Sequence, residues 1–391
     1  MNHQQSLSLI RFLTISCKEI GISNHVYVVG GAVRNFLLDH TGLKHPIKDI
    51  DLVVDSLNLH KSSVWVAEQI SKRIPVETSI TTNTYGVAIL HIKGDWNLSG
   101  HDMSHLTIEI AEARKESYGG SSGKGYKPSE VDRASLVEDS VRRDTNYNTL
   151  LWRMENLSNG PSESDVIDLT GKGVSDLRKG IIDTPKDPDK TFRDDPTRIL
   201  RCISAVSKYG FVIPSHIRDA IRRNASAMKD CPWEAIGTLL VENILKEKNA
   251  RSSLALMDHL GIFPVIREMV QESKPFQTYL AGHLRDKDVP LLLDLMDLGL
   301  PVKSPVSFLT EGQRTRLREI TVSMDRDDAL SFLKTLTSPP IDRPAIFAEF
   351  SLKGADRSLV DPIAREIILK DISIADDPKR LMDRVRSVLS R

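Results

Sequence analysis

Apolar residues along the chain follow two rhythms, one returning every third or fourth position and one every second, and the switches between them mark out elements. Leu7, Ile10, Leu13 and Cys17 lie on one face of a helix spanning residues 7–20. A β-branched and aromatic run, Val26-Tyr27-Val28-Val29, stops at Gly30-Gly31, after which Val33, Phe36 and Leu37 return to helical spacing. The next strand opens with Asp49-Ile50-Asp51 and continues Leu52-Val53-Val54. Its alternation sends Ile50 and Leu52 into the core and both aspartates to the other face. Val64, Val66 and Ile70 predict an amphipathic helix over 62–73, and strands are expected at 87–92 and 106–111, the second with Thr107, Glu109 and Ala111 on one face. Residues 138–154 begin acidic and end apolar in a helix-compatible pattern, and 165–180 reads as a connector turned by Gly171 and Gly173. A helix starts within 191–211, capped by Asp194 or Asp195 with Pro196 in its first turn and Ile199, Leu200, Ile203 and Val206 as its buried stripe. From Ile217 the spacing is helical, including VPLLLDLMDLGL at 289–300. Strands and helices alternating after a glycine turn, then helices alone, predict an α/β head with a small mixed sheet followed by an all-α region.

Length and composition narrow this picture. A chain of 391 residues exceeds one compact core and calls for roughly two to four domains. Lys plus Arg and Asp plus Glu both number 53, so a nucleic-acid partner has to be held by a local basic patch, for which Arg218, Arg222 and Arg223 are candidates. Cys17, Cys202 and Cys231 are odd in number and show no C-x-x-C spacing, the pattern of free thiols in a reducing compartment. The opening MNHQQSLSLIRFL lacks a basic leader and an unbroken apolar core, and no run approaches the roughly 18 apolar residues of a membrane span. The expected location is the cytoplasm, with no membrane partner.

Candidate chemistry concentrates around the glycine turn. Gly30-Gly31 lets a backbone approach a phosphate closely, and Arg34 stands one turn into the following helix. Asp49 and Asp51 share a strand face, and paired carboxylates supply the hard oxygen donors that magnesium takes alongside substrate phosphates. A lone D-x-D is a common tripeptide; its placement after G-G-x-V-R makes it specific. The loop GGSSGKGYKP at 119–128 is not a P-loop, since that motif needs glycine at Tyr118 and Ser or Thr at Gly125. His101-Asp102 has no second His-rich motif to join and reads as a loop pair.

GGAVR at 30–34 followed by DID at 49–51 resembles the nucleotidyltransferase head of the polymerase-β superfamily, in the branch of class II tRNA nucleotidyltransferases and bacterial poly(A) polymerases. TIEIAEARKESY at 107–118 is similar to the family stretch that presents a third carboxylate, which makes Glu109 either that group or a solvated strand residue. Arg142-Arg143-Asp144 with Asn148 resembles the family's RRD-x-x-x-N, although Thr145, Asn146 and Tyr147 replace its usual Phe, Thr and aliphatic residue. Asp195, Arg198 and Arg201 match the segment that reads the incoming base, while Ser204 stands in place of the family's next arginine and Ala205 in place of its usual Phe. The likeness is specific over residues 26–211, weak to about 265 and absent beyond.

This resemblance implies a template-independent enzyme that adds CCA to tRNA 3′ ends from CTP and ATP. Asp49 and Asp51 would be the catalytic carboxylates and hold Mg2+. Gly31, Arg34 and Arg143 would bind nucleotide phosphates, and Asp195, Arg198 and Arg201 would face the base. An acceptor beside a donor fits the amino and ring-nitrogen edge that C and A share and that U and G reverse. Residues 1–155 would form the catalytic head, 156–265 a helical neck and body that bind RNA, and 266–391 a helical tail. The resemblance leaves poly(A) synthesis, A-adding or CC-adding activity and a catalytically inactive RNA-binding protein as alternatives, the last opposed by the intact Asp49 and Asp51.

Overall fold

The computed structural model describes residues 3–39, 49–118, 126–247, 249–284, 295 and, discontinuously, 309–390. Most of the 289–300 helical pattern and residues 119–125 of the glycine-rich loop lie outside the described residues. The chain divides into two compact units, one of residues 1–239 with 247–249 and 259–262, the other of 240–246, 250–258 and 263–391.

In the first unit, α1 (His3–Ile20) starts earlier than its sequence pattern and buries Leu9, Ile10, Leu13 and Cys17, with Leu7 only half-buried. β1 (Val26–Val29), α2 (Gly31–Asp39) and β2 (Ile50–Val54) follow the expected strand, turn, helix and strand. After the single turn α3 (Ser56–Leu59), α4 (Ser63–Ser71) is capped by Ser62, which accepts the Trp65 N–H at 3.2 Å, and buries Val66, Ala67 and Ile70. β3 (Thr78–Thr82) and β4 (Ala88–Ile92) form an antiparallel pair, and β5 (Asn97–Leu98) with β6 (His101–Asp102) makes a small ribbon. The His101-Asp102 dipeptide sits there with the Asp102 carboxylate taken by the Ser104 N–H at 2.9 Å. β7 (Thr107–Glu112) leads into a hairpin of β8 (Arg114–Ser117) and β9 (Glu130–Arg133), then α5 (Leu136–Val141), β10 (Leu151–Arg153) and β11 (Val166–Ile167).

Seven strands make the main sheet, in the order β11-β10-β1-β2-β7-β4-β3. Every neighbouring pair is antiparallel except β2 with β7. The mixed sheet was expected, but it is wider than the pattern suggested. β10 comes from the stretch 138–154 that looked helix-compatible: α5 ends at Val141, a tight turn occupies Asn146–Asn148, and Leu151 pairs with Val29. Tertiary pairing with the buried β1 overrides the local pattern. The supposed connector at 165–180 likewise holds β11 and α6 (Gly173–Lys179), closed by Gly180 at φ +63°, a left-handed conformation that glycine adopts without a Cβ clash.

Helices complete this unit: α7 (Pro188–Asp194), α8 (Thr197–Tyr209), α9 (Ser215–Asn224) and α10 (Trp233–Thr238). α8 begins where the sequence places its cap, just after Asp195-Pro196, while α7 is a separate helix that ends at Asp194; proline drives the residue before it out of the α region, and Asp195 is extended at φ −146°, ψ 97°. In the second unit, helices at Glu311–Thr321, Arg343–Glu349, Val360–Lys370 and Pro378–Leu389 enclose a separate core that includes Leu317, Ile346, Val360, Ile368 and Leu381. All three cysteines are free and buried. Among the described residues no helix is long and apolar enough to cross a membrane.

Candidate active site

The middle of the sheet brings the carboxylates together. Asp51 pairs in register with Val29 of β1 on one side and with Glu109 of β7 on the other. Because β2 and β7 pair in register, Asp51 and Glu109 project from the same sheet face, while Ile50, Leu52, Ile108 and Ile110 are buried on the opposite one. Asp49 is exposed, one residue ahead of β2. Burial, then the negative charges of Glu109 and Asp49, pushes the Asp51 carboxyl up to about 6 against the pull of Arg143 and Arg34. Among the described residues no three His, Cys, Asp or Glu side chains form a group that could hold a metal ion. Asp51 and Glu109 are in-register neighbours in the sheet, with Asp49 exposed one residue ahead of β2.

Beside the carboxylates lies the glycine turn. Gly30 has φ +70°, and a Cβ on it would lie 3.7 Å from Nη1 of Arg143; one on Gly31 would lie 3.5 Å from Nη2 of Arg34. Two guanidinium groups thus flank bare backbone at the N-terminus of α2, where the helix dipole favours an anion. Arg34 donates from Nη1 to Asn148 Oδ1 at 2.6 Å, and Asn148 in turn donates to Asp144 at 2.9 Å. Arg143 is held by Asp139 Oδ2 at 2.9 Å, while Arg142 takes Asp139 Oδ1 at 2.7 Å. Asp139 is fully buried, and although burial alone would raise its carboxyl, Arg143 and Arg142 hold it below the usual range. Asp144 is likewise kept low against burial by Arg201, Asn148 and Arg198.

On another wall of the same space, the break between α7 and α8 aims Asp195 and Arg198 inward. The Asp195 carboxylate accepts the Thr197 N–H at 3.0 Å and its hydroxyl at 2.6 Å, and stands 3.7 Å from Nε of Arg198. Arg198 is buried; it donates to Thr191 O at 3.4 Å and to the Tyr118 hydroxyl at 3.5 Å. Tyr118 donates to Glu116 at 2.7 Å, and Glu116 also receives Arg114 at 2.9 Å and Arg142 at 3.0 Å. Burial and Glu116 push the Tyr118 phenol upward, so it remains neutral. Arg201 is more exposed and reaches Asp144 at 3.9 Å.

Gly31, Arg34, Asp51, Arg143, Asp195, Arg198 and Arg201 all line one cleft of about 580 Å³ within the first unit. Sequence reasoning passed over Arg114, Glu116 and Tyr118, which line it too. Their signal was present as polar side chains at every second position, the spacing that puts them on one face of β8 and its continuation. Asp139 was missed because an acid in a short helix reads as solvated. Outside the cleft, Arg222 and Arg223 are engaged with Asp219 at 2.8 Å and Asp189 at 2.6 Å.

Comparison with known proteins adds an independent line. Residues 26–183 match the family described as the Poly A polymerase head domain. A tRNA nucleotidyltransferase of Schizosaccharomyces pombe is 27% identical over 307 residues, covering 72% of this chain and 56% of that protein. A CCA-adding enzyme of Anoxybacillus flavithermus is 28% identical over 278 residues, 70% of this chain and 58% of its own length. The chain therefore spans less than two thirds of these relatives. Among solved structures, the Bacillus stearothermophilus CCA-adding enzyme in complex with CTP aligns with 100% of this chain and 83% of its own, with a TM-score of 0.54 at 20% identity, which is a likeness of fold.

Proposed function

We propose that the chain belongs to the family of class II tRNA nucleotidyltransferases and bacterial poly(A) polymerases and, from that premise, that it adds CCA to tRNA 3′ ends from CTP and ATP without a nucleic-acid template. The observation that carries this reading is the single cleft in which Asp51, the two arginines of the glycine turn and the Asp195–Arg198 pair meet.

Asp49 and Asp51 are the proposed magnesium ligands: both are hard carboxylates, and the negative charge crowding Asp51 is what a divalent cation relieves. Magnesium bound there would lower the pKa of the terminal RNA hydroxyl and neutralise the triphosphate and leaving pyrophosphate. Gly31 gives the phosphates access to the α2 N-terminus, and Arg34 and Arg143 bind their oxygens from fixed positions. Asp195 accepts from the amino group of C or A while Arg198 donates to the ring nitrogen beside it, and Arg201 stands at the same wall. A uracil or guanine edge would leave these buried partners unpaired, which is costly.

We assign the head to residues 1–155 together with its edge strand β11 at Val166–Ile167, the RNA-binding neck and body to the rest of 156–265 and the tail to 266–391. The free buried thiols suit a reducing compartment, and we place the protein in the cytoplasm. Replacing Asp49 or Asp51 by Ala should abolish magnesium-dependent nucleotide addition while leaving tRNA binding within a few-fold. Full addition by either variant would remove the catalytic centre from β2.

A further inference from the structure

We infer that Tyr209, the last residue of α8, is a positioning residue that fixes the phosphate-binding Arg34; this rests on the function proposed above. The Arg34 guanidinium carbon lies 5.1 Å from the centroid of the Tyr209 ring, within the range of a cation–π contact. The Tyr209 hydroxyl reaches Asn35 Oδ1 at 3.4 Å, and Arg34 Nε donates to that same buried oxygen at 3.0 Å. With Nη1 on Asn148 Oδ1 at 2.6 Å, the guanidinium is held along two edges and across its face. Its Nη2 is the nitrogen nearest Gly31, at the turn where phosphate oxygens would arrive.

Position makes this more than a packing contact. Arg198 stands in the first turn of α8, Asp195 two residues ahead of that helix and Tyr209 at its end, so the base-reading wall and the brace of the phosphate arginine lie at opposite ends of one 13-residue helix. Ala205, one turn before Tyr209 on the same helix face, is small and buried. The Tyr209 ring is half-buried and packed 5.2 Å from Phe211, which itself meets Tyr147 edge-on at 5.5 Å. A ring anchored in this way confines the guanidinium plane before substrate arrives, and pre-ordering a long side chain reduces the entropy lost on binding.

The test measures binding of inorganic triphosphate with magnesium, a probe without a base, alongside addition of CTP and ATP to tRNA. Tyr209→Leu should weaken triphosphate binding about three- to tenfold, raise KM for both nucleotides by a similar factor with a smaller change in kcat, and leave the preference for C and A over U intact. Tyr209→Phe, which keeps the ring, should stay within about twofold of the parent. In an Arg34→Ala background, Tyr209→Leu should cause no further loss of triphosphate binding, whereas a role in packing alone would add its full effect. Parent-like triphosphate binding by Tyr209→Leu, an equal loss in Tyr209→Phe, or additive losses in the double variant would each overturn the inference. Absence of nucleotide addition by the parent protein would instead contradict the function, with the triphosphate comparison still deciding the role of Tyr209.

Discussion

Asp139 shows how much of the cleft depends on a residue that never faces substrate. Its two oxygens divide between Arg142 and Arg143, 2.7 and 2.9 Å away, and the carboxylate is buried. Removing one partner of such a group leaves the others with desolvated charge, so Asp139→Ala should cost about 3–5 kcal/mol of stability by chemical denaturation. It should also release Arg143 from the glycine turn and weaken triphosphate binding; an unchanged denaturation midpoint would show that the arginines find other partners. Because the folded carboxyl is held below its ordinary 3.8, its contribution is complete above that value and disappears as pH falls through the lower folded one. Acid titration of the parent should therefore show a loss of stability below about pH 4 that is smaller in Asp139→Asn, where Asp144 and the other depressed carboxylates still contribute. At the same scale, the meeting of Asp51, Arg34 and Arg143 in one cleft could be anticipated from their types and spacing, whereas Asp49 is exposed and does not line it. Asp139 and Glu116 were not legible, since nothing local distinguishes a buried acid that orders arginines from a solvated one.

The decisive element is the break between α7 and α8. Pro196 keeps Asp195 extended, and that conformation lets its carboxylate take both Thr197 donors and face Arg198. Pro196→Ala permits α geometry at Asp195, so the two helices should merge and carry the carboxylate away from the cleft. Single-nucleotide addition by this variant should show a narrowed preference for C and A over U, with magnesium-dependent activity retained; parent-like selectivity would mean that the break is not what presents Asp195. Elements with strong apolar periodicity, such as β1, α4 and β4, could be read from the chain within a residue or two. β3, TSITT, is half exposed and has no apolar stripe, the β8–β9 hairpin is largely charged, and β10 is too short to outweigh the helix-compatible residues before it. β10 forms by pairing with β1, far away in sequence, and β3, β8 and β9 by pairing with the adjacent strand of their hairpins, and none of this shows as an apolar stripe.

Across the whole molecule positive and negative charge balance, with 53 residues of each sign. The proposed RNA partner would then be gripped locally, yet Arg222 and Arg223 already face Asp219 and Asp189. Exposed pairs of this kind hold weakly and can yield to phosphate. Changing Arg218, Arg222 and Arg223 together to Ala should weaken tRNA binding and lower the slope of log affinity against log salt by about one for each arginine that meets a phosphate. An unchanged slope would place the RNA on another face. The most direct test of the central claim supplies purified protein with tRNAs ending before the first C, before the second C and before the A, each with one nucleoside triphosphate at a time. The account predicts two, one and no additions from CTP, a single addition from ATP on the third tRNA alone, and none from UTP or GTP. Long runs of A on every primer, or no addition from any nucleotide, would contradict it.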